Sequence, residues 1–212
     1  DHPEEAITVF FPSVTLPRTK RILEETGLSL TIGDRQLLKP FDLTILAGDK
    51  IVITGDNGTG KSLLLKLIHD RLKDRADLNI GYMPQDYMTG LEGYPSALDF
   101  LARSGDKQDR ERARELMGAM KFTRQEMLDP PERLSDGQKA KLFILLFIKE
   151  GRDVLILDEP TRNFSPLSAP VIRSILRDYT GCIISSSPDR LYISTICDRR
   201  LHIDHQSISE VP

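Results

Sequence analysis

The chain has 212 residues, of which 39% are hydrophobic and 29% charged, with a formal net charge of −3. This composition fits a folded chain that buries a core without disulfides, and it excludes disorder and a globally basic nucleic-acid binder. No apolar run approaches the ~18 residues of a membrane helix; the longest spans residues 142–148, so no direct membrane insertion is expected.

Cys182 and Cys197 make no metal-ligand pattern and cannot build a disulfide framework. They read as ordinary thiols of a reduced, cytoplasmic protein. The first residues show no basic-then-apolar leader, and a start at Asp1 rather than Met leads us to expect a piece of something longer.

Pro3, Pro12 and Pro17 punctuate residues 1–20, a lead-in with a β-like run at 7–11. Short apolar bursts at 21–24, 28–32, 41–46 and 50–54 predict strands, with turns at Gly33-Asp34 and Gly48-Asp49. A helix is expected over 61–72 and a strand over 78–83. Residues 96–149 look helical: Ser96 caps 97–103, 106–120 is charge-rich, and Pro130-Pro131 breaks the run before a helix from Gly137. A buried-type strand at 153–157 follows. The chain closes with a helix (166–179), a strand (181–185), a helix (188–197) and a last strand (199–203). Alternating strands and helices predict an α/β fold with a mostly parallel central sheet. An antiparallel β part precedes it, and a helical subdomain at about 86–150 is inserted into one domain spanning 21–212.

Gly55-Asp56-Asn57-Gly58-Thr59-Gly60-Lys61-Ser62 matches the phosphate-loop pattern, after an apolar strand and before a helix. Glycines let the backbone wrap phosphate oxygens, and successive N–H groups at the helix start then point at negative charge. Lys61 adds a cation for the β- and γ-phosphates, and the Ser62 hydroxyl is suited to Mg²⁺. Leu63 completes the nucleotide-binding stretch. About a hundred residues on, Val154-Leu155-Ile156-Leu157 runs into Asp158-Glu159. A strand ending at the carboxyl edge of a parallel sheet is where ligands sit. Asp158 is expected to hold Mg²⁺, and Glu159 to orient and deprotonate an attacking water.

Leu134-Ser135-Asp136-Gly137-Gln138 resembles the LSGGQ signature of the ABC ATPases. Gln85, in Tyr82-Met83-Pro84-Gln85, is similar to the family's Q-loop glutamine, and Asp158-Glu159-Pro160-Thr161 to its second acidic motif. Four motifs stand in the family's order over nearly the whole chain. The resemblance implies an ATPase with ATP and Mg²⁺ as ligands, in which two domains close head to tail over two ATP molecules. Ser135 and Gly137 would cap the γ-phosphate held by the other domain, and Gln85 would sense Mg²⁺. The second ABC domain is the implied partner, in the same chain or in a homodimer.

Gln138-Lys139-Ala140-Lys141-Leu142 and the ending Ser187-Pro188-Asp189-Arg190-Leu191-Tyr192…Cys197-Asp198-Arg199 resemble the ABC-F subfamily, and the run at 7–12 resembles the lead-in to its second ATPase domain. That resemblance implies a protein without a membrane domain that acts on ribosomes. The alternatives are the cytosolic motor of a membrane transporter, partnered by a membrane domain, and a nucleotide-gated clamp with little hydrolysis.

Four positions depart from the family pattern. Pro188 stands where the switch histidine would be and has no side-chain donor. Ser165 replaces the aspartate that links the two sites, within Arg162-Asn163-Phe164-Ser165. Asp136 replaces a signature glycine, where a carboxylate must point away from phosphate or be paired. Ile32 replaces the adenine-stacking aromatic and offers dispersion contact alone. Together they predict a domain that binds nucleotide well and turns it over slowly.

Overall fold

The computed structural model describes Val9 and residues 11–212. The expected strand at 7–11 falls largely outside these residues; Val9 and Phe11 are buried and belong to no strand.

Two long strands, β1 (Arg21–Ile32) and β2 (Arg35–Leu46), form an antiparallel pair. The separate bursts expected at 21–24 and 28–32 are therefore one strand. Register shifts between Glu25 and Leu28 interrupt its alternation, as an extra residue in one strand of a pair does. Then come β3 (Lys50–Thr54), helix α1 (Lys61–Leu72) and β4 (Ile80–Met83).

The helical stretch is broken more often than composition suggests. It consists of α2 (Met88–Leu91), α3 (Ala97–Leu101), α4 (Lys107–Ala119), α5 (Arg124–Leu128), a 3₁₀ turn at Pro131–Arg133 and α6 (Asp136–Glu150). Its punctuation is local chemistry. Ser96, Asp106, Thr123 and Ser135 each accept a backbone N–H at a helix start, and Thr123 with Glu126 forms a full capping box.

The chain ends as β5 (Val154–Asp158), α7 (Ala169–Asp178), β6 (Cys182–Ser186), α8 (Arg190–Ile196), β7 (Arg199–Asp204) and β8 (Ser207–Val211). The main sheet has the order β4-β5-β6-β3-β7-β8, parallel except for β8.

Alternation along the buried strands divides the core in two. Val154, Ile156, Ile51 and Ile53 face α1 (Leu64, Leu65, Ile68) and the β1–β2 pair (Ile22, Leu38, Ile45). Leu155, Leu157 and Val52 face α6, α7 and the inserted helices, with Phe100, Leu142, Phe143 and Ile172. Shielded on both faces, the central strands end at one edge, where β3 and β5 deliver residues 55–62 and 158–159.

Candidate functional site

Between β3 and α1 the backbone turns through three left-handed glycines, Gly55, Gly58 and Gly60 (φ 151°, 79° and 101°). Gly55 admits no larger residue, because a Cβ there would lie 2.9 Å from the Ile203 carbonyl oxygen. Gly60 begins α1 without a side-chain cap, and the first turn holds no acidic residue. The free N–H groups and positive dipole end of a twelve-residue helix are thus offered to an anion. The five helices α3, α4, α5, α6 and α8 are instead closed by their own side chains.

Lys61 Nζ donates to the carbonyls of Gly55 (2.6 Å) and Asp56 (2.8 Å), curling over its own loop. Ser62 Oγ donates to Gln85 Oε1 at 3.3 Å, which brings the loop, α1 and the segment after β4 together.

Across from the loop, Asp158 is 4% exposed and accepts a hydrogen bond from Ser186 Oγ at 2.8 Å. Glu159 follows with φ 48°, an uncommon conformation for a residue with a side chain. Its N–H donates to the Ser186 carbonyl (3.0 Å) and is 3.2 Å from Ser186 Oγ. Ser186 thereby fixes both carboxylate residues. Glu159 Oε2 lies 3.6 Å from Arg162 Nη1.

Two cavities flank Lys61 and Glu159. The larger, about 780 Å³, is lined by Ile32, Asn57, Gly58, Gly60, Ser62, Leu63, Gln85 and Pro188 among others. The smaller, about 570 Å³, adds Gly55, Asp56, Arg200 and His202. His202 Nδ1 is 2.9 Å from Thr54 Oγ1, which also accepts from Arg200 Nε. So Gly55, Asp56, Asn57, Gly58, Gly60, Lys61, Ser62, Leu63, Gln85, Glu159 and Ile32 all converge on one place. Thr59 turns away: its hydroxyl donates to the Asp56 carbonyl (2.8 Å) and it lines a separate surface hollow.

Ser135 and Gly137 lie in neither cavity. Ser135 Oγ accepts from the Gln138 N–H (3.2 Å), capping α6. Asp136 is largely exposed and pairs with Lys139 at 3.8 Å, so its charge points away from the loop within this chain. Gly137 abuts the next motif, because a Cβ there would meet the Asn163 carbonyl oxygen at 3.0 Å. Asn163 Nδ2 in turn donates to the Tyr87 hydroxyl at 2.9 Å. Burial raises the Tyr87 phenol above its ordinary value, so it stays protonated.

The expected helix at 188–197 begins later, at Arg190, capped by Asp189. Pro188 lies just before it as bare cavity wall. Asp189 also accepts from Thr161 (3.0 Å) and Arg173 (3.2 Å). Its burial, which would raise the carboxyl, is outweighed by the N–H of Tyr192, the Thr161 hydroxyl and the Leu191 N–H, and the acid is held below its usual range. Of the neighbouring hydroxyls, Ser185 is spent on the Ile51 carbonyl and Ser186 on Asp158.

Sequence reasoning did not place Arg35 or Leu37 at the site, and it gave Arg162 and Ser186 no contact with Glu159. Arg35 and Leu37 reach the larger cavity across the β1–β2 turn, a tertiary placement with no local motif. Among the described residues, no group of three or more His, Cys, Asp or Glu could hold a metal by itself. Ser62 and Gln85 bring adjacent oxygens to the larger cavity, while Asp158 lines neither cavity and has one carboxylate oxygen held by Ser186; as few, all-oxygen donors they are of the kind Mg²⁺ takes, with phosphate and water completing its shell.

Comparisons with known proteins bear on the family and the fold. A family profile described as "ABC transporter" matches residues 38–162. The chain is 31% identical over 211 residues to "Ribosome protection protein VmlR" of Bacillus subtilis, covering 96% of this chain and 38% of that protein. It is 32% identical over 191 residues to "ATP-binding protein Uup" of Haemophilus influenzae, covering 82% of this chain and 28% of that protein. The chain thus spans well under half the length of these relatives. In fold it is similar to the dimeric, post-hydrolysis ATP-binding cassette MJ0796 bound to ADP and Pi, with a TM-score of 0.70, 18% identity, and 88% of this chain and 95% of that one covered. No described helix is long and apolar enough to cross a membrane. The chain belongs to the ABC transporter family, as an ABC-type ATPase domain whose relatives include the ABC-F-type proteins VmlR and Uup.

Proposed function

We propose that this domain binds Mg-ATP on the loop 55–62, hydrolyses it slowly, and closes head to tail with a second ABC domain in a cytoplasmic, ABC-F-like protein that acts on ribosomes. The observation that carries the ATPase reading is the convergence of Lys61 and Ser62 with Glu159 on one cavity at the carboxyl edge of the sheet. The ribosomal part is supported by the likeness to VmlR along 96% of this chain. We read residues 21–212 as the ATPase domain, with 86–150 as its helical part and 1–20 as a lead-in.

Ser62, Gln85 and Asp158 would hold the Mg²⁺, which supplies neutralisation of charge on the β- and γ-phosphates. The α1 N–H groups and Lys61 bind the phosphates, with Lys61 exchanging the Gly55 and Asp56 carbonyls for phosphate oxygen. Ile32 and Leu63 pack on the base. Glu159 accepts a proton from water as the water oxygen bonds to the γ-phosphorus. The bond from that phosphorus to the β,γ-bridging oxygen breaks, and ADP leaves with the bridging oxygen. Ser135 and Gly137 face no phosphate in their own chain, which suits a role on ATP bound by the partner domain. The bare wall at Pro188 favours a second reading, a nucleotide-gated clamp in which closure matters more than turnover.

The test is calorimetry with ATP and ADP in Mg²⁺, followed by sedimentation of Glu159→Gln with and without Mg-ATP. Tight ATP binding and an ATP-dependent dimer are expected. Absence of nucleotide binding would overturn the reading. A variant that binds ATP yet stays monomeric at high concentration would exclude self-pairing and leave a different ABC domain as the partner.

A further inference from the structure

Among the described residues, Arg162 is the cation of the larger cavity that forms an ion pair with the proposed general base. It stands in the turn after β5, where its N–H donates to the Glu159 carbonyl at 3.1 Å. Its guanidinium lies 3.6 Å from Glu159 Oε2, and its side chain is 52% exposed against 18% for Glu159. Among the described residues this contact is an ion pair without a hydrogen bond of normal length, so the guanidinium is held by charge and not by a fixed fork. Lys61, Ser62, Gln85 and Pro188 line the same cavity.

This arrangement has a charge problem that Arg162 is placed to solve. A γ-phosphate brought beside Glu159 sets two anions close together, which is unfavourable without a cation shared between them. Lys61 comes from the loop side. The opposite side presents Pro188, with no donor; the nearby Ser185 and Ser186 hydroxyls are already engaged, and Ser187, on the smaller cavity, offers a neutral hydroxyl and no charge. An arginine offers a planar fork matched to phosphate oxygens and keeps its charge at any working pH.

We infer that Arg162 is a γ-phosphate-binding residue that changes partners. It holds Glu159 in the empty domain and turns to the γ-phosphate when ATP enters, supplying the positive charge that Pro188 cannot. This rests on the nucleotide reading above. It goes further by making discrimination between ATP and ADP a property of residue 162. ADP lacks the group that draws the guanidinium away, so the Glu159 pair persists in the ADP-bound domain.

The experiment measures binding of Mg-ADP and of a non-hydrolysable Mg-ATP analogue by calorimetry, in the parent, Arg162→Gln, Arg162→Lys, Glu159→Gln and the Arg162→Gln/Glu159→Gln double variant. Loss of one charge-assisted contact corresponds to about tenfold or more in affinity. Arg162→Gln is therefore expected to weaken the triphosphate by that factor while ADP affinity stays within about twofold. Arg162→Lys, which keeps charge but not the fork, should fall between. Glu159→Gln should tighten the triphosphate in the parent, because the competing carboxylate is gone. In the double variant the two effects should not add. Equal weakening of both nucleotides, or no change in either, would overturn the partner exchange and leave Arg162 as a support of its turn. A parent that binds neither nucleotide would instead overturn the site assignment itself, and the two failures are distinguishable in the first titration.

Discussion

On one side of the cavities at the sheet edge stand residues 55–62; on the other stand Arg162 and residues 186–190. The first side is built wholly for an anion. It has three left-handed glycines, an uncapped helix start, and a lysine resting on carbonyls it can leave. On the second side, Ser186 is bonded to Asp158, Asp189 is committed to capping α8 and to Thr161, and Pro188 has no donor to give. Under the proposed function most of the phosphate grip comes from the first side, with Arg162 added from the second, while the general base Glu159 comes from β5, so substitutions can separate binding from turnover.

The largest expected effect is on chemistry. Glu159→Gln should lower phosphate release by about 10²–10⁴-fold while leaving ATP affinity no weaker, since general-base catalysis is worth that much. Retained turnover would move the base elsewhere. Pro188→His should act in the opposite direction. A positioned donor toward developing charge is worth about 10²–10³ in rate, and the gain is expected to be partial because pocket residues that act together are not additive. Steady-state phosphate release from the parent and both variants, run side by side, decides the matter. A parent that already turns over briskly would break the contrast and make the Ser187 hydroxyl the next donor to remove.

On the binding side, Lys61→Ala should weaken ATP by about 10–100-fold, the range for a charge-assisted bond to phosphate. Unchanged affinity in calorimetry would sink the assignment of the loop. The smallest effect concerns the base. Ile32→Tyr should tighten ATP by about 0.5–1.5 kcal/mol, the scale of an added aromatic stack. Competition between ATP and GTP would show whether base preference sharpens with it.

How much of this was readable in advance depended on how local the cause was. Residues 55–62 were legible because eight consecutive residues, three of them glycine, dictate their own backbone, and α1 begins and ends at 61 and 72 as expected. The cap at Ser96 was legible for the same reason, whereas Asp106 stood out only as part of a charge-rich stretch and proves to cap α4.

The hairpin from β7 into β8 was missed. Its two turn residues, His205 and Gln206, adopt φ of 46° and 66° without the Asn or Gly that usually marks such a turn. The full length of β1 was missed because a register shift hides its alternation. Arg162 was visible as a departure from a family pattern, but its closeness to Glu159 exists only once β5 ends and the following turn folds back. Arg35 needed the β1–β2 pair to be assembled beside the phosphate loop before it could be connected to the site.

Asn163 touches two segments that lie far from it in sequence. Its amide holds the Tyr87 hydroxyl at 2.9 Å, and its carbonyl occupies the space that any side chain at 137 would need. Tyr87 lies two residues past Gln85, and Gly137 lies in the first turn of α6. A gear train has this layout, with a middle wheel meshed on both sides and little slack in either contact. If residues 84–87 shift, either the tyrosine bond breaks or the turn at 161–165 follows. If that turn follows, it moves beside the start of α6, where a Cβ at residue 137 would lie only 3.0 Å from the Asn163 carbonyl oxygen. A side chain at residue 137 would crowd the carbonyl of the residue that holds Tyr87, so the smallness of residue 137 is what lets these three segments sit together.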